Sequence, residues 1–134
     1  MSKPPVDVEA KKNKVKTAQK RRAWKRGHMA EALTRLVLRL KGHRILAKNY
    51  KTKVGEIDII TLKSNTIGFV EVKARSTQRE AAEAISDRQK ARIERAAEHF
   101  LKYAPQWQSF DVRFDVALVT GPFGVHILYD AWRP

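Results

Sequence analysis

The sequence predicts an α/β domain with a mixed β-sheet flanked by helices, in the order α-β-β-β-α-β-β. Two stretches carry apolar residues at helical spacing, and each ends at a helix breaker, Gly42 or Pro105. Five short stretches, most of them rich in Ile and Val, read as strands bounded by turn residues. Three strands before the second helix and two after it are the pattern of an α/β core.

The elements follow in chain order. Residues 1–22 hold almost no large apolar side chains, and residues 1–26 are expected to form a basic, unstructured arm. A helix is predicted from near His28, with Ala30, Leu33, Leu36, Val37 and Leu40 forming its apolar face. Residues 43–50 are a short strand, and GEIDIITL (55–62) and IGFVEVKA (67–74) are stronger ones joined by a polar Ser64-Asn65 turn. The polar stretch 75–85 reads equally as loop or helix. Ser86 and Gln89 have capping-box spacing and open a second helix with Ile93, Ala96, Ala97, Phe100 and Leu101 along one stripe. Residues 112–120 and 125–132, with the GPFG turn between them, complete the sheet. At 134 residues the chain suits one domain, spanning 27–134, behind the arm.

Charge bounds the partners. The chain carries 28 Lys and Arg against 14 Asp and Glu, a net +14. All of the excess lies in the first 53 residues, because residues 54–134 hold 11 of each sign. A surplus of this size favours a polyanion over a small acidic ligand alone. With no cysteine, disulfide scaffolds, thiolate zinc sites and cysteine nucleophiles are excluded. Together with the lack of any apolar run near the roughly 18 residues of a membrane span, this leads us to expect a cytoplasmic protein with no membrane partner.

The chemistry concentrates in Gly55-Glu56-Ile57-Asp58 and Glu71-Val72-Lys73. Folding the two strands about Ser64-Asn65 places Asp58 opposite Glu71 and Glu56 opposite Lys73, all on one face. Ile57, Ile59, Val70 and Val72 then form the core face. Carboxylates directly opposite on a sheet repel each other. A Mg²⁺ or Mn²⁺ ion between them would remove the conflict, and Mg²⁺ commonly binds through one or two carboxylates while keeping water and phosphate. Two acids with a lysine beside them are equipment for metal-assisted phosphodiester hydrolysis. Alternation of charged with apolar residues is also the ordinary pattern of a half-solvated strand.

These residues resemble a known family. Residues 27–130, from GHMAEALTRLVLRLKGHRILAKNYKTKVGEIDIITL through IGFVEVKARS to RFDVALV, are similar to the YraN-like family of predicted endonucleases. That family is related to archaeal Holliday junction resolvases within the PD-(D/E)xK, restriction-endonuclease-like superfamily. The resemblance implies a restriction-endonuclease-like core, with Asp58, Glu71 and Lys73 in the nuclease motif and Glu31 of the first helix as a further catalytic and metal-binding acid. Gln89 matches an accessory position. The motif's Pro-Asp is Ile57-Asp58 here, and the Asn-x-Arg ahead of GEID reads Asn49-Tyr50-Lys51. The arm is longer than the family core requires.

His28 stands one helical turn before Glu31 and is, with Glu56, a candidate accessory residue, a structural role being the alternative reading of His28. Arg35, Arg39, Lys48, Lys51, Lys53 and Arg75 are the expected phosphate contacts, since Lys and Arg bind the backbone by counterion release. Lys41, Arg44 and Arg79 belong to the same basic group, and Trp24 is a candidate for base stacking. Arg113 is expected to pair locally with a neighbouring Asp. The expected activity is a metal-dependent endonuclease acting on DNA, branched DNA included. The alternative is a non-catalytic nucleic-acid-binding module on the same fold. Cutting symmetric strands of a junction would call for a homodimer.

Overall fold

The computed structural model describes residues 6–75 and 85–134, and their side chains except at 6–9 and 23–26. The elements are α1 (Val6–Leu40), β1 (Arg44–Lys51), β2 (Glu56–Lys63), β3 (Thr66–Ala74), α2 (Asp87–Tyr103), a 3₁₀ turn (Pro105–Trp107), β4 (Asp111–Thr120) and β5 (Gly124–Trp132). The order is the one read from the sequence. The strands form one sheet in the order β1-β2-β3-β4-β5. β3 and β4 pair in parallel through the α2 crossover, and every other neighbouring pair is antiparallel. Arg79 and most of the stretch 75–85 lie outside the described residues.

Both faces of the sheet are packed, where the sequence suggested one core face and one polar face. Ile93, Ala96 and Ala97 of α2 close on Ile57, Ile60, Ile67, Phe69 and Phe114. Leu38 of α1 closes on Ile59, Val70 and Ala117, with Val72 packed beside them. Ile57 therefore joins the α2 cluster, while Ile59, Val70 and Val72 go with α1. The cause is the parallel β3–β4 pair, whose crossover puts a helix on one face while α1 covers the other.

The buried stripe of α1 is Ala30, Thr34 and Leu38, while Leu36 and Leu40 are exposed. Thr34 can be buried because its hydroxyl donates to the Ala30 carbonyl at 2.7 Å. Ala30 belongs to the predicted face, whereas Thr34 and Leu38 are buried in place of Leu36 and Leu40.

α1 also begins much earlier than expected. Residues 6–26, anticipated as an unstructured arm, continue the helix from Val6. The low apolar content argued against a core, and from Ala10 to Arg22 nearly every residue is exposed. A helix needs no core to satisfy its own backbone, and Ala, Lys, Arg and Gln are good helix formers. Trp24 lies among the residues whose side chains are not described.

At α2 the capping box is present: Ser86 Oγ accepts the Gln89 N–H at 3.1 Å and Gln89 Oε1 accepts the Ser86 N–H at 3.3 Å. Phe100 and Leu101 are half-buried against the α2 core, as their place on the stripe predicts.

Candidate active site

The hairpin register agrees with the sequence reading from its turn upward. Ile59 pairs with Val70, Ile60 with Phe69, and so on down to Lys63 with Thr66 around Ser64-Asn65. The described pairing of β2 with β3 stops at Ile59–Val70. Asp58 and Glu71 occupy the next step, where the two strands cease to pair. Here the Asp58 carboxylate replaces a ladder bond, its Oδ2 accepting the Val72 N–H at 2.8 Å. β3 stays fixed beyond this point because Glu71, Val72 and Lys73 pair in register with Val116, Ala117 and Leu118 of β4.

Lys73 Nζ lies 3.4 Å from Glu71 Oε1, and only 11% of the Lys73 side chain and 14% of the Glu71 side chain are exposed. Burial pushes the Glu71 carboxyl up to about 8, and repulsion from Asp58 adds to this while Lys73 opposes it. Asp58 is also raised, chiefly by burial, against the lowering effect of the Val72 N–H, of its hydrogen bond with Glu71, and of Lys73. The two carboxyls thus compete to remain charged in one small, poorly hydrated space.

Glu31 comes to the same region from α1. Its carboxyl is raised by burial and then by Asp58, while His28 and Arg35 lower it. Glu56 is exposed and adds negative potential at both Asp58 and Glu31. Asp58, Glu71, Lys73, Glu31, Glu56 and His28 are therefore brought into one electrostatic neighbourhood. Among the described residues, no three His, Asp or Glu side chains close tightly enough to enclose an ion by themselves. Mg²⁺ does not require this, since one or two carboxylates with waters suffice. The half-buried Asp58–Glu71 pair, whose charges repel, has the donor chemistry that fits such an ion, and Glu31 lies near enough to feel Asp58. Gln89, by contrast, is held in the α2 capping box.

The turn before β2 is built by Thr52. Its Oγ1 accepts the Val54 and Gly55 N–H groups at 3.1 and 3.0 Å and donates to the Gly55 carbonyl at 2.8 Å. Gly55 is buried against α2, and a Cβ there would run into the Arg92 carbonyl group. The glycine of GEID thus lets α2 approach the strand that carries Asp58. Gly55→Ala is expected to cost about 3 kcal/mol by overpacking, read as a lower urea midpoint at unchanged m-value.

The expected phosphate contacts fall into two groups. Arg35, Arg39 and Lys48, with Ile45, Leu46 and Ala47, line a groove of about 390 Å³ between α1 and β1. Lys51, Lys53 and Arg75 are exposed, the first two around the Thr52 turn and Arg75 directly after β3. Arg75 Nη1 donates to the Ala74 carbonyl at 2.8 Å. Arg113 pairs locally as expected, with Asp115 Oδ1 at 2.7 Å. Sequence reasoning missed the Val72 N–H, a backbone donor that leaves no mark in residue type.

A five-stranded mixed sheet between two helices, with an acid pair and a lysine where its central strands part, defines a restriction-endonuclease-like α/β core. The chain belongs to the uncharacterised protein family UPF0102, whose model matches residues 30–119, and this is the family indicated by the YraN-like resemblance. It is 46% identical over 112 residues to a UPF0102 protein of Parvibaculum lavamentivorans, covering 84% of each chain. It is 42% identical over 109 residues to one from Chelativorans sp., covering 81% of this chain and 88% of that one. A UPF0102 protein of Mesorhizobium japonicum is 41% identical over 112 residues, covering 83% of this chain and 90% of its own. The family match takes in Glu31, Asp58, Glu71 and Lys73 and begins after the basic stretch of α1. Among the described residues, no helix is long and apolar enough to cross a membrane.

Proposed function

We propose that this protein is a Mg²⁺- or Mn²⁺-dependent endonuclease that hydrolyses phosphodiester bonds in DNA, branched DNA included. The observation that carries this reading is the half-buried Asp58–Glu71 pair beside Lys73. Both carboxyls are raised by burial, with Glu71 driven further by Asp58, an arrangement that costs stability unless a cation resolves it. Asp58 and Glu71 would hold the ion, and Glu31 would act from its outer shell. A divalent ion supplies charge at the phosphate and makes water a better nucleophile near neutral pH. The Val72 N–H keeps the Asp58 carboxylate aimed, and Lys73 offers a positive charge to the phosphate or holds a water in place. Arg35, Arg39 and Lys48 would bind the backbone of the same nucleic acid.

The test uses purified protein with linear, single-stranded, flapped and four-way-junction DNA. Cleavage is expected with Mn²⁺, none in EDTA, and none with Asp58→Ala. Cutting that survives EDTA or the substitution overturns the assignment. Salt-dependent binding without metal-dependent cleavage on any of these substrates would favour the non-catalytic module.

A further inference from the structure

We infer that the N-terminal half of α1 is a duplex-DNA-binding arm that follows one flank of the DNA at a distance set by the helix itself. This rests on the DNA reading above but concerns a surface outside the family core, since the family match begins at residue 30.

Between Ala10 and Arg22 there are seven Lys or Arg residues and no acid. Nearly all of these residues are exposed. The cations lie on every side of the helix, and Lys12, Lys16 and Lys20 stack at successive i,i+4 positions, where like charges oppose helix formation. From Ala10 to Arg22 nearly every residue is exposed and no acid stands among the cations, so this stretch lacks the usual sources of helix stability. A polyanion lying beside it reverses the sign of this electrostatic cost. Duplex DNA supplies that charge, and its major groove, about 12 Å wide, admits one α-helix.

α1 is continuous from Val6 to Leu40, so the arm is rigidly joined to the segment that carries Glu31. At 1.5 Å rise per residue, Lys11 stands about 30 Å from Glu31 along the axis. That span is about nine base pairs at 3.4 Å each. Arg35 and Arg39 lie on the other side of Glu31 on the same helix and belong to the groove with Lys48. One helix therefore carries, in order, the arm, a carboxylate of the site, and the local phosphate contacts. The arm would add affinity on one flank only, and only on duplexes long enough to reach it.

The experiment measures binding of the full chain by fluorescence anisotropy in EDTA, so that no cleavage enters. A variant with all seven cations changed to Gln is compared with the native chain. Gln has nearly the helix propensity of Lys, and circular dichroism melting checks that the fold is kept. On a duplex of roughly 40 base pairs the variant should bind at least ~10-fold more weakly at low salt. The slope of log affinity against log salt should fall by about 3 to 4, because about half of the cations on a helix face one ligand and each contributes about 0.9. On a duplex of roughly 10 base pairs the two proteins should converge, because the arm then has no DNA to lie on. If the sevenfold change disturbs folding, Lys12→Gln with Lys16→Gln should still lower the slope by about 1 to 2. Unchanged slopes, an effect independent of duplex length, or polyglutamate competing as well as DNA at equal charge would each overturn the inference. If the arm effect is present but no substrate is cut with Mn²⁺, the nuclease reading fails and the arm stands. If cutting is seen but the slopes do not change, the arm fails alone.

Discussion

In EDTA at pH 8, Glu71→Gln raises the melting temperature of this protein by roughly 10 °C, and at pH 5 it has little effect. The sign follows from the direction of the Glu71 shift. Its carboxyl is about 8 in the fold against an ordinary 4.5, with burial as the main cause and Asp58 as the second. The folded state therefore holds a proton that the unfolded chain releases near 4.5. The stability contributed by that proton is complete below 4.5 and is lost as the pH rises toward 8. At 1.36 kcal/mol per unit, the loss over this window is on the order of 4 kcal/mol. Gln resembles the protonated acid and has nothing to lose, so the native and variant curves part between pH 5 and 8. Some of the gain is offset because Lys73, 3.4 Å away, gives up a charged partner. On the nuclease reading, the same substitution should reduce Mn²⁺-dependent cleavage by at least ~10³-fold, since it removes one of the two proposed metal ligands. Metal binding requires both acids deprotonated, so Mn²⁺ should stabilise the native protein more at pH 8 than at pH 6. A native stability that is flat from pH 5 to 8 would show that the pair is not strained.

This opposition between stability and the acid pair also explains how the site could be read from the sequence. The register of β2 on β3 was legible because Ile and Val alternate with polar residues up to a two-residue turn, and a slip by one would expose Ile59 and Val70. Asp58 and Glu71 could be placed opposite each other on that basis. Their separation from the ladder could not, because it depends on the Val72 N–H turning to a side chain instead of a neighbouring strand. Ile57 was placed on the wrong face for a related reason. Strict alternation assumes regular pairing, and Ile57 lies beyond the last pair of β2 with β3, where it packs with the α2 cluster. In α1, Thr34 was unreadable as a core residue until its hydroxyl was seen to bond to the preceding turn. The helical reach to Val6 was missed because the composition rule asks what a segment can bury, whereas from Ala10 to Arg22 this one exposes nearly every residue.

The position of Glu31 shows how much of the site is tertiary. Nothing in the helix itself distinguishes an acid near its middle from a solvated one. Its carboxyl is raised first by burial and then by Asp58, because Ala30, Thr34 and Leu38 seat α1 against the sheet. Thr34 and Leu38, which the apolar face read from the sequence leaves out, thus join Ala30 in bringing the third acid to the site.

Asp115→Ala is expected to cost 3–5 kcal/mol by breaking a buried, hydrogen-bonded ion pair, roughly 15 °C in melting temperature for a chain of this size. Asp115 is 1% exposed. It accepts Arg113 Nε at 2.7 Å, Arg113 Nη2 at 3.2 Å and the Asp130 N–H at 2.9 Å. The last bond falls where the β4–β5 register shifts between Phe114 and Val116 and Asp130 takes a positive φ of 54°. The carboxylate satisfies a donor at this irregular point in the β4–β5 ladder. Arg113 lies 4.6 Å from the centre of the Tyr129 ring, and the Tyr129 hydroxyl is 3.0 Å from His43 Nε2 at the end of α1. Asp115 is thus the anchor of a polar chain running from β4 through β5 to the α1–β1 junction. Alanine would leave the Asp130 N–H and the Arg113 guanidinium without this partner and open a cavity beneath Gly68, whose absent side chain makes room for the Asp115 and Thr61 oxygens. Asn keeps one acceptor for the Asp130 N–H, so Asp115→Asn should lose about half as much. Urea unfolding with unchanged m-values decides the matter, and a loss under about 1 kcal/mol for Asp115→Ala would show that packing alone holds β5. The consequence reaches the acid pair, because Val116, the next residue of β4, is the register partner of Glu71.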